Sequence, residues 1–252
     1  MRVAILGQFP LDLTRLGGVE VAIVYLLDSL PAAGVDEVHV LTCVSGLSEE
    51  RTATVRGATI HYLPRDDLGR LTWHLREVRR MQAVLRAIRP DIVDAHGTRM
   101  YGGAALGSGF PNVITVHGIV AREVALYRTW GWRVRGWVDV LYERWCLAQA
   151  KDLIAISPYA EDAFRPLTKA RFHLVENPVD LAFFHLERRP QPGRILFAGP
   201  IAERKGLVYL FQALARVKSA GALGGVSGGS VASARRKFKI HLHMQNTSRG
   251  AL

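Results

Sequence analysis

Cysteine is scarce: the 252 residues hold only Cys43 and Cys146. The two lie far apart, one in an expected strand and one in an expected helix. They read as buried reduced thiols, as suits a cytosolic protein, and exclude a disulfide framework. No run of eighteen uncharged apolar residues occurs, which excludes a conventional spanning helix. The apolar start, Val3-Ala4-Ile5-Leu6, is too short for a secretory leader. It runs into Gly7-Gln8-Phe9-Pro10 without a small-residue cleavage site, so it reads as a buried first strand. No internal repeat is present, and no acidic residue follows Glu203. The net charge is +11, and five of the 33 basic residues (Arg235, Arg236, Lys237, Lys239 and Arg249) crowd into residues 219–252. The body is therefore only mildly basic. That balance suits a phosphate-bearing ligand or an anionic membrane surface and requires no specific nucleic acid.

What is present is an alternation. Short apolar, β-branched runs at 3–7, 37–42, 59–63, 92–95, 113–117, 153–157 and 171–176 read as strands covered on both faces. Helical patterns at 19–33, 71–89, 99–107, 133–150 and 158–167 separate them. In 71–89, Leu71, Leu75, Val78, Met81, Val84, Leu85 and Ile88 form one apolar stripe that stops at Arg89-Pro90. Ser157-Pro158 is a helix start, with a capping hydroxyl followed by proline in the first turn. This order implies an α/β fold with a doubly wound parallel sheet, whose ligands bind beyond the carboxyl ends of the strands.

The chemistry is therefore expected in the loops that follow the strands. A dinucleotide fingerprint would place G-x-G-x-x-G directly after the first strand. Here the glycines wait until Gly17-Gly18, at the start of the next helix, which argues against a nicotinamide or flavin site. Glycines there can let a phosphate approach the N–H groups at the positive helix end, or can simply turn the loop. Two histidines close successive strands, each followed by glycine: His96-Gly97 and His117-Gly118. Such a pair at the rim can donate to a sugar hydroxyl or a phosphate oxygen. A metal would need a third ligand, and none has suitable spacing. Asn177-Pro178 is turn chemistry. A proline-rich stretch, 188–193, reads as a linker, after which a strand, Gly199, Arg204-Lys205 and a helix would grip a diphosphate.

In this order the pieces resemble the retaining GT-B glycosyltransferases of family four, over residues 1–218. The resemblance rests on Gly17-Gly18-Val19-Glu20, Thr115-Val116-His117-Gly118, Ile156-Ser157-Pro158-Tyr159-Ala160, and Asn177-Pro178-Val179-Asp180 leading to Gly199-x5-Lys205-Gly206. It implies an acceptor-side Rossmann-like domain at 1–187, the linker 188–193, and an incomplete donor-binding Rossmann-like domain that starts at 194–218. It further implies transfer of a sugar, with retention, from a nucleoside-diphosphate sugar to a glycan or lipid-linked acceptor, with the donor as substrate and no cofactor or metal. His117 would be the catalytic contact to the donor sugar. Gly17, Gly18, Lys205 and Arg204 would line the diphosphate, and Glu20 and His96 would meet acceptor or sugar.

Two departures stand against the family pattern. Pro200 occupies the place of a diphosphate-binding arginine, and the family's pair of glutamates seven residues apart has no counterpart after Gly206. Residues 219–252 read as an aberrant, low-complexity basic tail without regular structure, such as a shifted reading frame would give. The expected state is accordingly a truncated, impaired enzyme. The alternative is a non-catalytic remnant that binds sugar or acceptor, or one that binds a membrane peripherally. The segment 122–145 mixes Trp and Arg, as interfacial helices do. Its stripe of Trp137, Leu141 and Trp145, at four-residue spacing, reads as a buried face, and it also suits docking on the inner face of an anionic membrane.

Overall fold

The structure, a computed structural model, describes residues 1–14, 16–66, 68–127, 129–189, 194–198, 205–219 and 239–243. The chain forms two compact units, Met1–Val179 and Asp180–Leu252.

The first unit is built on eight strands: β1 (Arg2–Leu6), β2 (Glu37–Val44), β3 (Arg51–Val55), β4 (Ala58–Pro64), β5 (Ile92–His96), β6 (Asn112–Val116), β7 (Asp152–Ala155) and β8 (Arg171–Leu174). Their order across the sheet is β3-β4-β2-β1-β5-β6-β7-β8. All neighbours are parallel except β3, which pairs antiparallel with β4. β3 is not visible as a strand in the sequence because it is a mostly exposed edge with no apolar face. It is joined to β4 by Arg56-Gly57, both at positive φ, as a tight hairpin turn requires.

The unit's α-helices are α1 (Gly18–Ser29), α2 (Leu75–Ile88), α3 (Met100–Leu106), α4 (Val120–Ala125), α5 (Trp130–Gln149) and α6 (Pro158–Phe164). They cover both faces, as strands buried on two sides need. Val3, Ile5, Ile23, Leu27, Val40 and Ile60 pack on the α1 side. Ala4, Leu6, Met81, Leu85, Ala95, Ile114 and Leu147 pack on the other. Both cysteines are free and buried, and burial pushes each thiol up to about 12.

Three expectations are corrected. α1 stops at Ser29, and a 3₁₀ turn, Pro31–Ala33, follows, because Pro31 has no N–H with which to continue the helix. α2 starts at Leu75 rather than 71, because Trp73 and His74 both adopt left-handed backbone and break the run. Trp73 then stacks on Tyr142 at 4.9 Å, and Leu75, expected on the buried stripe, is 49% exposed. On α5 the face expected to be buried is outside: Trp137 is 57%, Leu141 53% and Trp145 40% exposed. The inward face holds Gly136, Asp139, Val140, Glu143, Cys146 and Leu147. Two buried acids set that orientation, since each ties down a loop at the functional end of the sheet.

The second unit has α7 (Ala182–His185), β9 (Arg194–Ala198), α8 (Leu207–Ser219) and β10 (Lys239–His243), with β9 and β10 paired in parallel. Within the stretch read as irregular tail, five residues therefore form a strand. The remainder, 220–238 and 244–252, lies outside the described residues.

Candidate functional site

From β1 the chain builds outward to β2 and β4, then crosses to the other side of β1 for β5 and continues to β8. The reversal between β1 and β5 is a topological switch point. Helices leave to opposite faces there, and in open α/β sheets such a point, beyond the carboxyl ends of the strands, is where ligands bind. Gly7 follows β1 at that point and His96 ends β5 beside it. A Cβ on Gly7 would come 3.1 Å from the His96 Cβ and 2.6 Å from the Ile23 methyl. The glycine is thus what lets the strand end, α1 and His96 share one place.

Strand register assembles the polar groups. β5 and β6 pair in parallel with His96 opposite Thr115. Side chains alternate along a strand, so Asp94, His96, Thr115 and His117 share one face. Thr115 Oγ1 donates to Asp94 Oδ1 at 2.8 Å. His96 Nδ1 and His117 Nε2 lie 2.8 Å apart, with the rings stacked at 5.0 Å between centroids. On the far side of its ring, the buried His96 Nε2 has no well-aligned hydrogen-bond partner among the described residues, but lies 3.2 Å from Asp94 Oδ2. Burial, reinforced by the neighbouring His96, lowers His117 to about 4, against a weaker upward pull from Asp94. At neutral pH His117 is therefore uncharged. It can exchange hydrogen bonds with neutral hydroxyls but supplies no positive charge to a phosphate.

The loops after both histidines are anchored from α5. Gly97 is at φ +108, a conformation open to glycine and strained for other residues. Arg99 then takes φ +64, held by an ion pair to the buried Asp139 at 3.2 Å. Beyond His117-Gly118, the Val120 N–H donates to the buried Glu143 at 3.2 Å, and burial raises that carboxyl's pKa. Asp94, Asp139 and Glu143 were not singled out from the sequence. The usable signals were Asp94-x-His96 on one strand face and two acids four apart in α5, on the face holding Cys146 and Leu147.

The other expected site residues fall as follows. Gly17 caps α1 in extended backbone, and the Glu20 carboxylate folds over it, 2.6 Å from where a Gly17 Cβ would stand. Gly18 has open space around it: a methyl placed there would meet nothing within 4 Å. His96 and His117 are brought together. Lys205 belongs to the second unit, exposed one residue before Gly206 and the start of α8. Arg204, with Gly199 and Pro200, lies outside the described residues. Ser157 caps α6 as expected, accepting from the Ala160 N–H at 3.2 Å. Among the described residues, no group of three or more His, Cys, Asp or Glu is placed to hold a metal ion.

A family model described as Glycosyltransferase Family 4 matches residues 16–183, well over half of the chain. The chain belongs to that family. No curated protein sequence matches this family 4 chain. Among solved structures it is similar to the lipopolysaccharide outer core galactosyltransferase WaaB, with 16% identity over 86% of this chain and 58% of that one, at a TM-score of 0.53. It is similar to S. aureus MnaA with UDP, with 13% identity over 98% of this chain and 62% of that one, at 0.54. It is also similar to the E. coli trehalose-6-phosphate structure bound with UDP-2-fluoro glucose, with 13% identity over 96% and 64%, at 0.54. These likenesses establish the GT-B fold. The family 4 chain spans about three fifths of the length of each of these neighbours.

Proposed function

We propose that this chain carries the acceptor-side domain of a retaining glycosyltransferase, which moves a sugar from a nucleoside-diphosphate donor to a glycan or lipid-linked acceptor. The observation that carries this reading is the stacked His96–His117 pair at the switch point, with His117 uncharged at neutral pH and a glycine after each histidine. A neutral imidazole such as His117 at a strand rim suits sugar hydroxyls. The UDP and UDP-2-fluoro glucose in two neighbours of the same fold support a nucleoside-diphosphate donor. In this reading His117 contacts the donor sugar, and His96 and Glu20 meet sugar or acceptor. Gly17 and Gly18 leave room for the diphosphate at the start of α1. No cofactor or metal is needed. Because no acid follows Glu203 to hold the donor, the chain by itself turns over no nucleotide sugar.

Titration calorimetry with nucleoside-diphosphate hexoses tests it. Binding is expected in the unmodified chain and about tenfold weaker in His117→Ala, a loss of about 1.4 kcal/mol, with no hydrolysis in either. Hydrolysis or transfer that disappears in His117→Ala would overturn the inactivity. Equal affinity in both proteins would remove His117 from the site.

The exposed face of α5 favours a membrane-bound setting for the acceptor. Trp130, Val134, Trp137, Leu141 and Trp145 recur at helical spacing and are all exposed, Trp130 at 79%. The exposed charges of the same helix are Arg133, Arg135 and Arg144, while its two acids are buried. Aromatic rings with arginines at one surface fit the headgroup region of an anionic bilayer. No helix among the described residues is long and apolar enough to cross one. Co-sedimentation with phosphatidylglycerol vesicles, lost in Trp137→Ser/Leu141→Ser and absent with phosphatidylcholine alone, is the expected result. Equal pelleting with both lipids would contradict it.

A further inference from the structure

The proton arrangement across the histidine pair follows from which atoms can donate. An ionised carboxylate only accepts, and a neutral imidazole has one donor nitrogen and one acceptor nitrogen. Asp94 Oδ1 already accepts from Thr115 Oγ1 at 2.8 Å, which fixes the carboxylate beside β6. Its Oδ2 lies 3.2 Å from the buried His96 Nε2. That nitrogen is shut away from water and has no aligned partner among the described residues. A bare lone pair there would face carboxylate oxygen across 3.2 Å, whereas a proton there is attracted. In a neutral His96 the proton then sits on Nε2 and Nδ1 is bare. For that neutral ring the 2.8 Å contact closes with His117 Nε2 carrying the donating hydrogen. The last nitrogen of the chain, His117 Nδ1, is left as a lone pair.

We propose that Asp94 is a positioning residue which, through His96, holds the His117 proton on Nε2 and leaves Nδ1 as an acceptor for a sugar hydroxyl. The acceptor role rests on the reading of His117 as a sugar contact; the proton order does not. Orienting partners beyond the contacting residue fix an imidazole's tautomer in the same way elsewhere. No proton need be transferred: the chain only decides which end of His117 offers a lone pair to the ligand.

The same molecule carries an internal reference. Glu37 Oε1 lies 2.8 Å from His39 Nε2, and His39 Nδ1 lies 3.0 Å from His61 Nε2. By the same argument His39 and His61 are also protonated on Nε2. They lie on β2 and β4, away from the switch point, so no change at Asp94 should reach them.

The experiment is a long-range proton–nitrogen correlation spectrum of the full chain with ¹⁵N-labelled histidine, at pH 7.5 and without ligand. The expected result is Nε2–H with bare Nδ1 at His96, His117, His39 and His61. In Asp94→Asn the new amide can donate to His96 Nε2. The protonated and bare nitrogens of His96 and His117 should then exchange, while His39 and His61 stay as they were and report that the fold is intact. Affinity for a nucleoside-diphosphate hexose should fall about tenfold in that variant, with affinity for the nucleoside diphosphate alone unmoved. A wild-type His117 with its proton on Nδ1 overturns the relay without any variant, as does an Asp94→Asn spectrum unchanged from wild type. A relay that reads as expected, with hexose affinity unmoved in Asp94→Asn, overturns the sugar contact instead.

Discussion

Two acid–histidine–histidine chains sit on one sheet, and their geometries nearly coincide. At the carboxyl end, Asp94 precedes His96 by two residues on β5, and the His96–His117 rings stack at 5.0 Å and 22°. On β2, Glu37 precedes His39 by two residues, and the His39–His61 rings stack at 5.3 Å and 29°. The acid contacts differ: Glu37 Oε1 meets His39 Nε2 at 2.8 Å, while Asp94 Oδ2 stands 3.2 Å from a His96 Nε2 with no aligned partner among the described residues. Place separates the pairs further. The first lies at the switch point, against Gly7, with Gly97 and Gly118 opening the loops beyond. The second begins at the amino end of β2, where Glu37 is also bound by Arg2 at 2.6 Å and the pair serves as a satisfied polar contact between strands. A histidine pair is thus weak evidence for a site until the topology says which end of the sheet it occupies.

The largest effect expected to sharpen this contrast is a pH dependence. His117 has a folded pKa of about 4 against an ordinary 6.5, so as pH falls through that window the unfolded chain takes up a proton that the folded chain refuses. Stability is full above the window and is lost progressively down to about pH 4, by on the order of 3 kcal/mol for this group. Urea melts of His117→Gln should show a flatter pH profile between those limits. Burial also lowers His61, to a smaller extent, so His61→Gln should flatten it less. A larger change from His61→Gln would break the distinction between the pairs.

Next in size is Gly7→Ala. The added methyl would press on Ile23 and His96, and overpacking of this kind costs about 1–3 kcal/mol. The smallest is Gly18→Ala. A methyl there meets nothing, and alanine is the better helix former, so stability should rise by up to about 1 kcal/mol while hexose-donor affinity falls. A Gly18→Ala chain that is more stable and binds equally well would remove Gly18 from the site.

Much of the fold was legible because buried parallel strands announce themselves as short β-branched runs, and the seven expected strands all exist. β3 escaped because an exposed edge strand such as Arg51–Val55 has no apolar face to read. α2 started late because two left-handed residues, Trp73 and His74, are invisible to periodicity. The α5 faces were exchanged because spacing alone ranks Trp137, Leu141 and Trp145 above a stripe containing Asp139 and Glu143. The acids face inward since Arg99 and the Val120 N–H await them there. In the site, His96 and His117 were legible as strand-ending residues before glycine. Asp94 was not, because its role depends on the register that sets Thr115 beside it.

In the proposed function the His96–His117 pair, and not the His39–His61 pair, meets the sugar of a nucleoside-diphosphate donor. The direct measurement is a titration of the ¹⁵N-histidine-labelled chain with a nucleoside-diphosphate hexose, then with the nucleoside diphosphate alone. The hexose donor is expected to move the ring signals of His117 and His96 and to leave those of His39 and His61 in place, and the nucleoside diphosphate alone is expected to move none of the four. Equal movement at both pairs, or movement at His39 and His61 only, would contradict it.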